Sequence, residues 1–241
     1  MNDPVNQFLL RRLEATQTSW GRFWLKAHLT QQKLRAFWLT HGDAFLKRTF
    51  DILVSLTMLI VLSPFLALIG LAVWVEDGGP IFFAQTRVGQ FGRLFKMYKI
   101  RSMCPDADAR LKELLARNQQ KEGITFKLKD DPRMTRVGKW LRKYSFDELP
   151  QLYNVLIGDM SLVGPRPPVP REVALYRLAD RRRLAAKPGI TCIWQISGRS
   201  EIDFSGQVGL DVGYIETQSF WNDLKILVMT VPAVLSGKGA C

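Results

Sequence analysis

From Ile52 to Val75 the chain runs 24 residues without a formal charge, "ILVSLTMLIVLSPFLALIGLAVWV". As a helix, a run of that length reaches across a hydrocarbon core of ~30 Å. It begins too far from Met1 for a signal peptide, and no small-residue cleavage pattern follows it. Ser63 and Pro64 fall near its midpoint, leaving two apolar halves of about 12 residues, each ~18 Å as a helix and too short to cross alone. Proline removes a backbone donor and crowds the preceding turn, so a break or kink is expected there. Lys47 and Arg48 stand just before the run, and 26 of the 34 Lys and Arg residues follow it. Both flanks therefore favour the cytoplasmic side. A helix that enters, breaks at Ser63-Pro64 and returns meets both conditions, while a proline-kinked span stays open as the other reading.

The basic excess gives a net charge of +12, which points to an anionic partner: nucleic acid, a phospholipid surface or a phosphorylated substrate. With 47% hydrophobic and 23% charged residues the chain is not a disordered one. Residues 1–46 contain "WGRFWLKAHLTQQKLRAFWLTH", in which aromatic and basic residues interleave. That pattern suits an amphipathic helix at the headgroup level, and equally one packed on a core. Cys104, Cys192 and Cys241 are widely spaced, with neither histidine near any of them, so they read as reduced thiols rather than a zinc site or disulfide framework.

Three segments follow: an N-terminal extension over 1–46, a membrane helix over 47–77 broken at Ser63-Pro64, and a catalytic domain over 78–241. The expected fold class is α/β, mainly helical with short strands. "PIFFAQ" and "LFKMYKIRSM" read as strands around a turn-rich loop, and "DADARLKELLARNQQ" as a helix. "MTRVGKWLRKYSFDELPQLYNVLIG" reads as helix, break, helix, and "SLVGPRPPVP" as irregular because of its prolines. "REVALYRLADRRRLAA" is expected to be one helix, "ITCIWQIS" a strand, "GRSEID" a turn and "FWNDLKILVMTVPAVLSG" a C-terminal helix. Neither GxGxxG nor GxxxxGK[ST] occurs, so any nucleotide chemistry uses another fold.

The candidate chemistry gathers around "FDELPQ". Asp147 and Glu148 supply adjacent carboxylates, Asp159 a third, and Arg166 follows in a proline-bounded loop. Carboxylates beside cations suit Mg²⁺ and phosphate, with oxygen ligands for the metal and guanidinium forks for phosphoryl oxygens. A carboxylate can also attack phosphorus and form an acyl phosphate. The competing reading makes Asp147 a helix cap with Glu148 in the first turn. Lys99 and Arg101 could likewise be solvated strand positions, and Arg166 a surface pair.

The ordered set "KRTFD", "LSP", "GPIFFAQTRVG", "FKMYKIRSM", "FDELPQLYNVLIGDMSLVGPRP", "KPGIT", "WQISGR" and "DLKIL" resembles the bacterial sugar transferase family, the monotopic polyprenyl-phosphate hexose-1-phosphate transferases. The resemblance runs from about Lys47 to the C-terminus. It implies transfer of a sugar 1-phosphate from a UDP-sugar to undecaprenyl phosphate with release of UMP, using Mg²⁺ and a phosphorylated aspartate. By motif position that aspartate is Asp147, with Glu148 binding the metal and Arg166 a phosphate group. Lys99, Arg199 and Asp223 match positions linked to substrate binding or site architecture. Ser63-Pro64 match the break of a re-entrant helix, which places the catalytic domain on the cytoplasmic face of the bacterial inner membrane. The products would begin exopolysaccharide, capsule or O-antigen repeat units, galactose and glucose being the leading sugars. The implied partners are the UDP-sugar, undecaprenyl phosphate and the phospholipid bilayer, with no nucleic acid; a homodimer stays open. Cys192 stands where glycine is usual and Gly213 where relatives carry something bulkier, which bears on sugar preference. Larger relatives add an N-terminal membrane region and a further domain, so this chain reads as a short form or a trimmed one. Two readings from other classes remain, a non-catalytic scaffold of a polysaccharide assembly complex and a membrane-anchored nucleic-acid binder.

Overall fold

The computed structural model describes residues 17–107, 109, 110, 131–198 and 202–236. It divides into two compact units, Met1–Lys47 and Arg48–Cys241. One helix, α1 (Ser19–Asp77), contributes to both. In the first unit Trp20, Phe23 and Trp24 form an exposed aromatic cluster with ring centroids 5.7 to 6.1 Å apart.

The apolar run lies within α1, whose Gly42–Asp77 portion is long and apolar enough to cross a membrane. The expected break is not an interruption of helical structure: the residues of α1 keep helical assignment through Ser63 and Pro64. The physical reason is local. Pro64 cannot donate to the Ile60 carbonyl one turn back, and the Ser63 hydroxyl donates to that carbonyl instead, at 2.8 Å. Serine thus supplies the hydrogen bond that proline removes. Ile60, Val61, Leu68 and Val75 around this point are about two-thirds exposed, a surface that calls for lipid rather than water.

The second unit holds two small sheets. β1 (Phe82–Val88) and β2 (Leu94–Ile100) pair antiparallel, with Phe83 opposite Lys99. β3 (Ser161–Val163) and β4 (Gly189–Thr191) pair in parallel. Among the described residues the remaining helices are α2 (Arg136–Lys143), α3 (Gln151–Ile157), α4 (Pro170–Ala174), α5 (Ile193–Ser197), α6 (Phe204–Glu216) and α7 (Phe220–Ser236). One core gathers Phe95, Met97, Leu152, Val155, Leu162, Tyr214 and Ile226, with Phe50, Val54 and Leu59 of α1 packed against it. A second sets Ile69 and Val73 of α1 against Ile100 and Leu141. Both halves of the apolar run therefore rest on the same folded body.

Several local expectations are corrected. "SLV" forms strand β3 before the prolines begin. "REVALYRLADRRRLAA" is not one helix: α4 stops at Ala174 and a 3₁₀ turn starts at Asp180, whose carboxylate takes the Arg177 N–H and restarts the chain. "ITCIWQIS" is a strand only to Thr191, because β3 offers three residues to pair with; Cys192 then caps α5. α6 was not expected, since Gly206, Gly209 and Gly213 lower its propensity. Burial of Phe204, Val208 and Tyr214, and a cap in which Asp203 accepts the Gly206 N–H at 2.9 Å, offset that cost. The helix expected over 106–120 falls almost wholly outside the described residues.

Candidate active site

Asp147 and Glu148 lie on a 3₁₀ turn, Phe146–Glu148, between α2 and α3. Thr135 starts α2 by accepting the Gly138 N–H at 2.9 Å, and Ser145 ends it by turning the backbone left-handed at φ 57°. α3 then begins behind Pro150, so Asp147 caps no helix and its side chain is free for other work. The helix-cap reading fails on that geometry.

The outer ends of α2 and α3 are held by the two flanks of the apolar run. Arg48 donates to the Val155 and Leu156 carbonyls at 2.7 and 2.9 Å, covering the C-terminal end of α3. Glu76 accepts the Arg136 and Val137 N–H groups at 2.7 and 3.2 Å, covering the N-terminal end of α2. Asp51 and Asp77 add further ties, to the Leu162 N–H at 3.0 Å and to Arg101. The carboxylate turn thus hangs between two helices that the apolar helix clamps from both sides.

β2 delivers the first cation. Buried Asn154 of α3 accepts the Tyr98 N–H at 3.0 Å and donates to the Lys96 carbonyl at 2.7 Å, standing in for a third strand along β2. This register sets Lys99 Nζ 2.8 Å from Glu148 Oε1 and 3.8 Å from Asp147 Oδ2. The second cation comes from the proline-bounded loop, with Arg166 Nη2 3.3 Å from the same Glu148 oxygen. That loop is fixed by close backbone approach at β3–β4, where a Cβ on Gly189 would sit 2.1 Å from the Gly164 nitrogen. Arg87 braces it by donating to the Pro167 carbonyl at 2.8 Å.

The two carboxylates are electrostatically unequal. Burial pushes the Asp147 carboxyl up, against the pull of Lys99 and with the help of Glu148. Burial also opposes ionisation of Glu148, but Lys99 and Arg166 outweigh it and hold that carboxyl down at about 2. Burial lowers Lys99, and the Glu148 charge raises Arg166. Environments that drive two neighbouring carboxyls apart are a mark of divided chemical roles. All four side chains line one cavity of about 770 Å³, which also reaches Met58 on α1.

The family model described as Bacterial sugar transferase matches residues 42–237. The chain belongs to the bacterial sugar transferase family. Among its relatives, the galactosyl transferase CpsE of Streptococcus agalactiae is 56% identical over 68% of this chain and 37% of its own length. The undecaprenyl-phosphate galactose phosphotransferase of Salmonella typhimurium is 48% identical over 83% of this chain and 42% of its own length. The exopolysaccharide production protein ExoY of Sinorhizobium fredii, 43% identical, is covered over 87% of its length and 80% of this chain. The chain thus spans about two-fifths of the first two relatives and most of the third.

Of the positions expected from this family's motifs, Asp147, Glu148, Lys99 and Arg166 come together. Arg199 lies outside the described residues. Asp223 is absent from the cavity lining; it is buried on α7, where the Tyr214 hydroxyl donates to it at 2.7 Å, and so serves the architecture behind β3. Asp159, considered as a third carboxylate, pairs at 3.9 Å with Arg93 instead. Among the described residues no three His, Cys, Asp or Glu side chains converge on one point. The pair still fits Mg²⁺, which takes one or two carboxylates together with water and phosphate oxygens. Asp147 and Glu148 are the residues that would hold such an ion, beside Lys99 and Arg166. Cys192 is buried with its thiol on Gln195, and burial pushes its pKa up, so it is an inert packing thiol. Around Gly213 a Cβ would meet nothing, so a bulkier residue fits there without strain on the site. Sequence reasoning missed Arg48, Glu76 and Asn154 as positioning residues; the charges flanking the apolar run were the signal for the first two.

Proposed function

We propose that the chain transfers a hexose 1-phosphate from a UDP-sugar to undecaprenyl phosphate at the cytoplasmic face of the bacterial inner membrane, a first membrane step toward exopolysaccharide, capsule or O-antigen. The observation that carries this reading is the buried Asp147–Glu148 turn, set against Lys99 and Arg166 in a cavity that opens beside an apolar helix. Relatives named as undecaprenyl-phosphate galactose and glucose phosphotransferases support the reaction class.

In the first half-reaction an Asp147 oxygen bonds to the β-phosphorus of the donor. The bond from that phosphorus to the bridging oxygen breaks, and UMP leaves with its electron pair. Lys99, at 3.8 Å, is the cation placed to offset the charge Asp147 carries as it attacks. Glu148 stays ionised throughout and orients Lys99 and Arg166. Mg²⁺, held by Glu148 with Asp147, would supply neutralisation of the diphosphate. In the second half-reaction an oxygen of undecaprenyl phosphate attacks the aspartyl phosphorus, Asp147 leaves as carboxylate, and Arg166 steadies the incoming phosphate.

Attachment of both flanks of the apolar run to one folded body supports a re-entrant placement of α1, since a straight crossing sends the flanks to opposite faces. The test is direct. Membranes carrying the chain, undecaprenyl phosphate, Mg²⁺ and a panel of UDP-sugars should release UMP with at least one donor. Release with none of them refutes the assignment, and unchanged release from Asp147→Ala removes the proposed nucleophile.

A further inference from the structure

Arg166 reaches Glu148 from "GPRPPVP", a loop rich in proline. Proline has no N–H, so such a loop builds few hydrogen bonds of its own and its carbonyls need donors from elsewhere. Three of them are met from the strands. The Gly189 N–H donates to the Pro165 carbonyl at 3.0 Å, Arg87 Nη1 to the Pro167 carbonyl at 2.8 Å, and the Val88 N–H to the Pro168 carbonyl at 2.9 Å. The Gly189 and Val88 donors are backbone amides of β4 and β1, which no side-chain change removes. Of the three ties, only the one at Pro167, the residue directly after Arg166, depends on a side chain.

That side chain is held for the purpose. Arg87 stands on β1, is partly buried and lines the same cavity as Arg166. Its Nη2 donates at 2.6 Å to Gln85 Oε1, two residues back on the same face of the strand. A guanidinium is a rigid planar fork, so fixing one prong on Gln85 aims the other at Pro167. Both prongs end on neutral oxygens, and Nε is left without a partner. Burial pulls Arg87 down to about 10, and the Arg166 charge pulls the same way, against Glu172 and Glu148. The group is still a cation at neutral pH. A neutral side chain at this position would escape the desolvation and the repulsion from Arg166. It would also leave the Pro167 carbonyl without its donor.

We propose that Arg87 is a positioning residue for Arg166: its bond to the Pro167 carbonyl fixes the backbone that follows Arg166, and through it the guanidinium that meets the acceptor phosphate. The role rests on the transfer reaction proposed above, in which Arg166 serves the second half-reaction. The first half-reaction leans on this loop less. Asp147 and Glu148 lie on their own turn between α2 and α3, and Lys99, at 2.8 Å, holds Glu148 whether or not the loop shifts. Loss of the Arg87 tie therefore falls on the acceptor step before the donor step. The fold keeps its other two ties to the loop.

Arg87→Met keeps a long unbranched side chain and removes the donor. In the purified full chain with Mg²⁺, kcat/KM for undecaprenyl phosphate should fall about tenfold, the scale of one charge-assisted hydrogen bond. UMP release in a single turnover without acceptor, with enzyme in excess over the UDP-hexose, should slow by less than about threefold. Arg87→Lys, a donor without the fork, should recover part of the acceptor kinetics.

The deciding measurement is a double-mutant cycle, with radiolabelled donor so that slow turnover is still read. In an Arg166→Met background no guanidinium remains to be placed, so adding Arg87→Met should change acceptor kinetics by less than about twofold. A residue that merely stabilises the fold would not show this coupling. If Arg87→Met does not fold, Gln85→Met carries the same cycle by freeing the other prong, with a loss of about threefold that disappears in the Arg166→Met background. Effects of the two substitutions that multiply overturn the proposal, as do equal slowing of both half-reactions and acceptor kinetics unchanged in both variants. A wild-type chain inactive with every UDP-sugar counts against the transfer reaction, whereas an active wild type with one of those results counts against the role of Arg87 alone.

Discussion

Replacing Gly138 by alanine sets two effects of opposite sign against each other. Gly138 lies inside α2, where alanine is favoured over glycine by about 1 kcal/mol on helix propensity. A Cβ at this position, however, would sit 2.0 Å from the Ser102 carbonyl oxygen, 2.6 Å from its carbon and 2.8 Å from its Cα. Optimal carbon contacts lie near ~3.5–4.0 Å, so α2 and the strand exit after Ile100 must separate by more than about 1 Å. Both sides of the contact are backbone, and no side chain can swing away. Overpacking typically costs about 1–3 kcal/mol, and a backbone clash belongs at the upper end. The net expectation is destabilisation of about 2 kcal/mol, a fall of roughly 4–8 °C in melting temperature for a chain of this size. α2 also leads directly into the carboxylate turn, and a displacement of ~1 Å there can cost about 10²-fold in rate. The assay is thermal unfolding of the detergent-solubilised protein together with UMP release below the transition. Gly213→Ala in α6 is the internal control, because its Cβ meets nothing within 4 Å and alanine should stabilise by about 0.5–1 kcal/mol. A Gly138→Ala protein as stable as wild type refutes the close approach of α2 to Ser102.

Asp147→Asn should abolish UMP release while leaving the melting temperature within about 2 °C, since a buried carboxyl with a raised pKa is replaced by a neutral group of similar shape. Arg48→Met removes two charge-assisted hydrogen bonds onto the end of α3 and should cost about 2–3 kcal/mol, read as a lowered melting temperature and faster proteolysis of the 150s segment. Glu148 is held at about 2, below its ordinary value near 4.5, so the stability it contributes is present above pH ~4.5 and is lost as pH falls toward 2. Acid unfolding should lose that limb in Glu148→Gln, and an identical acid profile in both proteins would count against the Lys99–Glu148–Arg166 cluster.

Much of this molecule is written in short stretches of chain. The uncharged run, the β1–β2 hairpin, the helix–turn–helix around "FDELPQ" and the C-terminal helix all follow from periodicity and turn chemistry acting within a few residues. The site was legible as a composition, two adjacent carboxylates among basic residues. Whether Asp147 capped a helix or did chemistry was not, because that depends on where α3 starts and on what faces the side chain. Errors clustered where tertiary contact overrides propensity: glycine-rich α6 forms because its apolar side chains are buried, and "ITCIWQIS" stops being a strand where its three-residue partner ends.

The sequence by itself determined an apolar helix with basic flanks, a Ser-Pro pair near its middle, and a charged pair on a turn. Tertiary structure decided what those parts do together. Lys99 reaches Glu148 across 49 positions of chain, Arg48 caps α3 across 107, and Gly138 makes room for Ser102. Hydrogen-bond partners, cavities and backbone approaches belong to surfaces that meet only after folding. Local propensity has no term for them, and so the same residues read as solvated, capping or catalytic until their neighbours are in place.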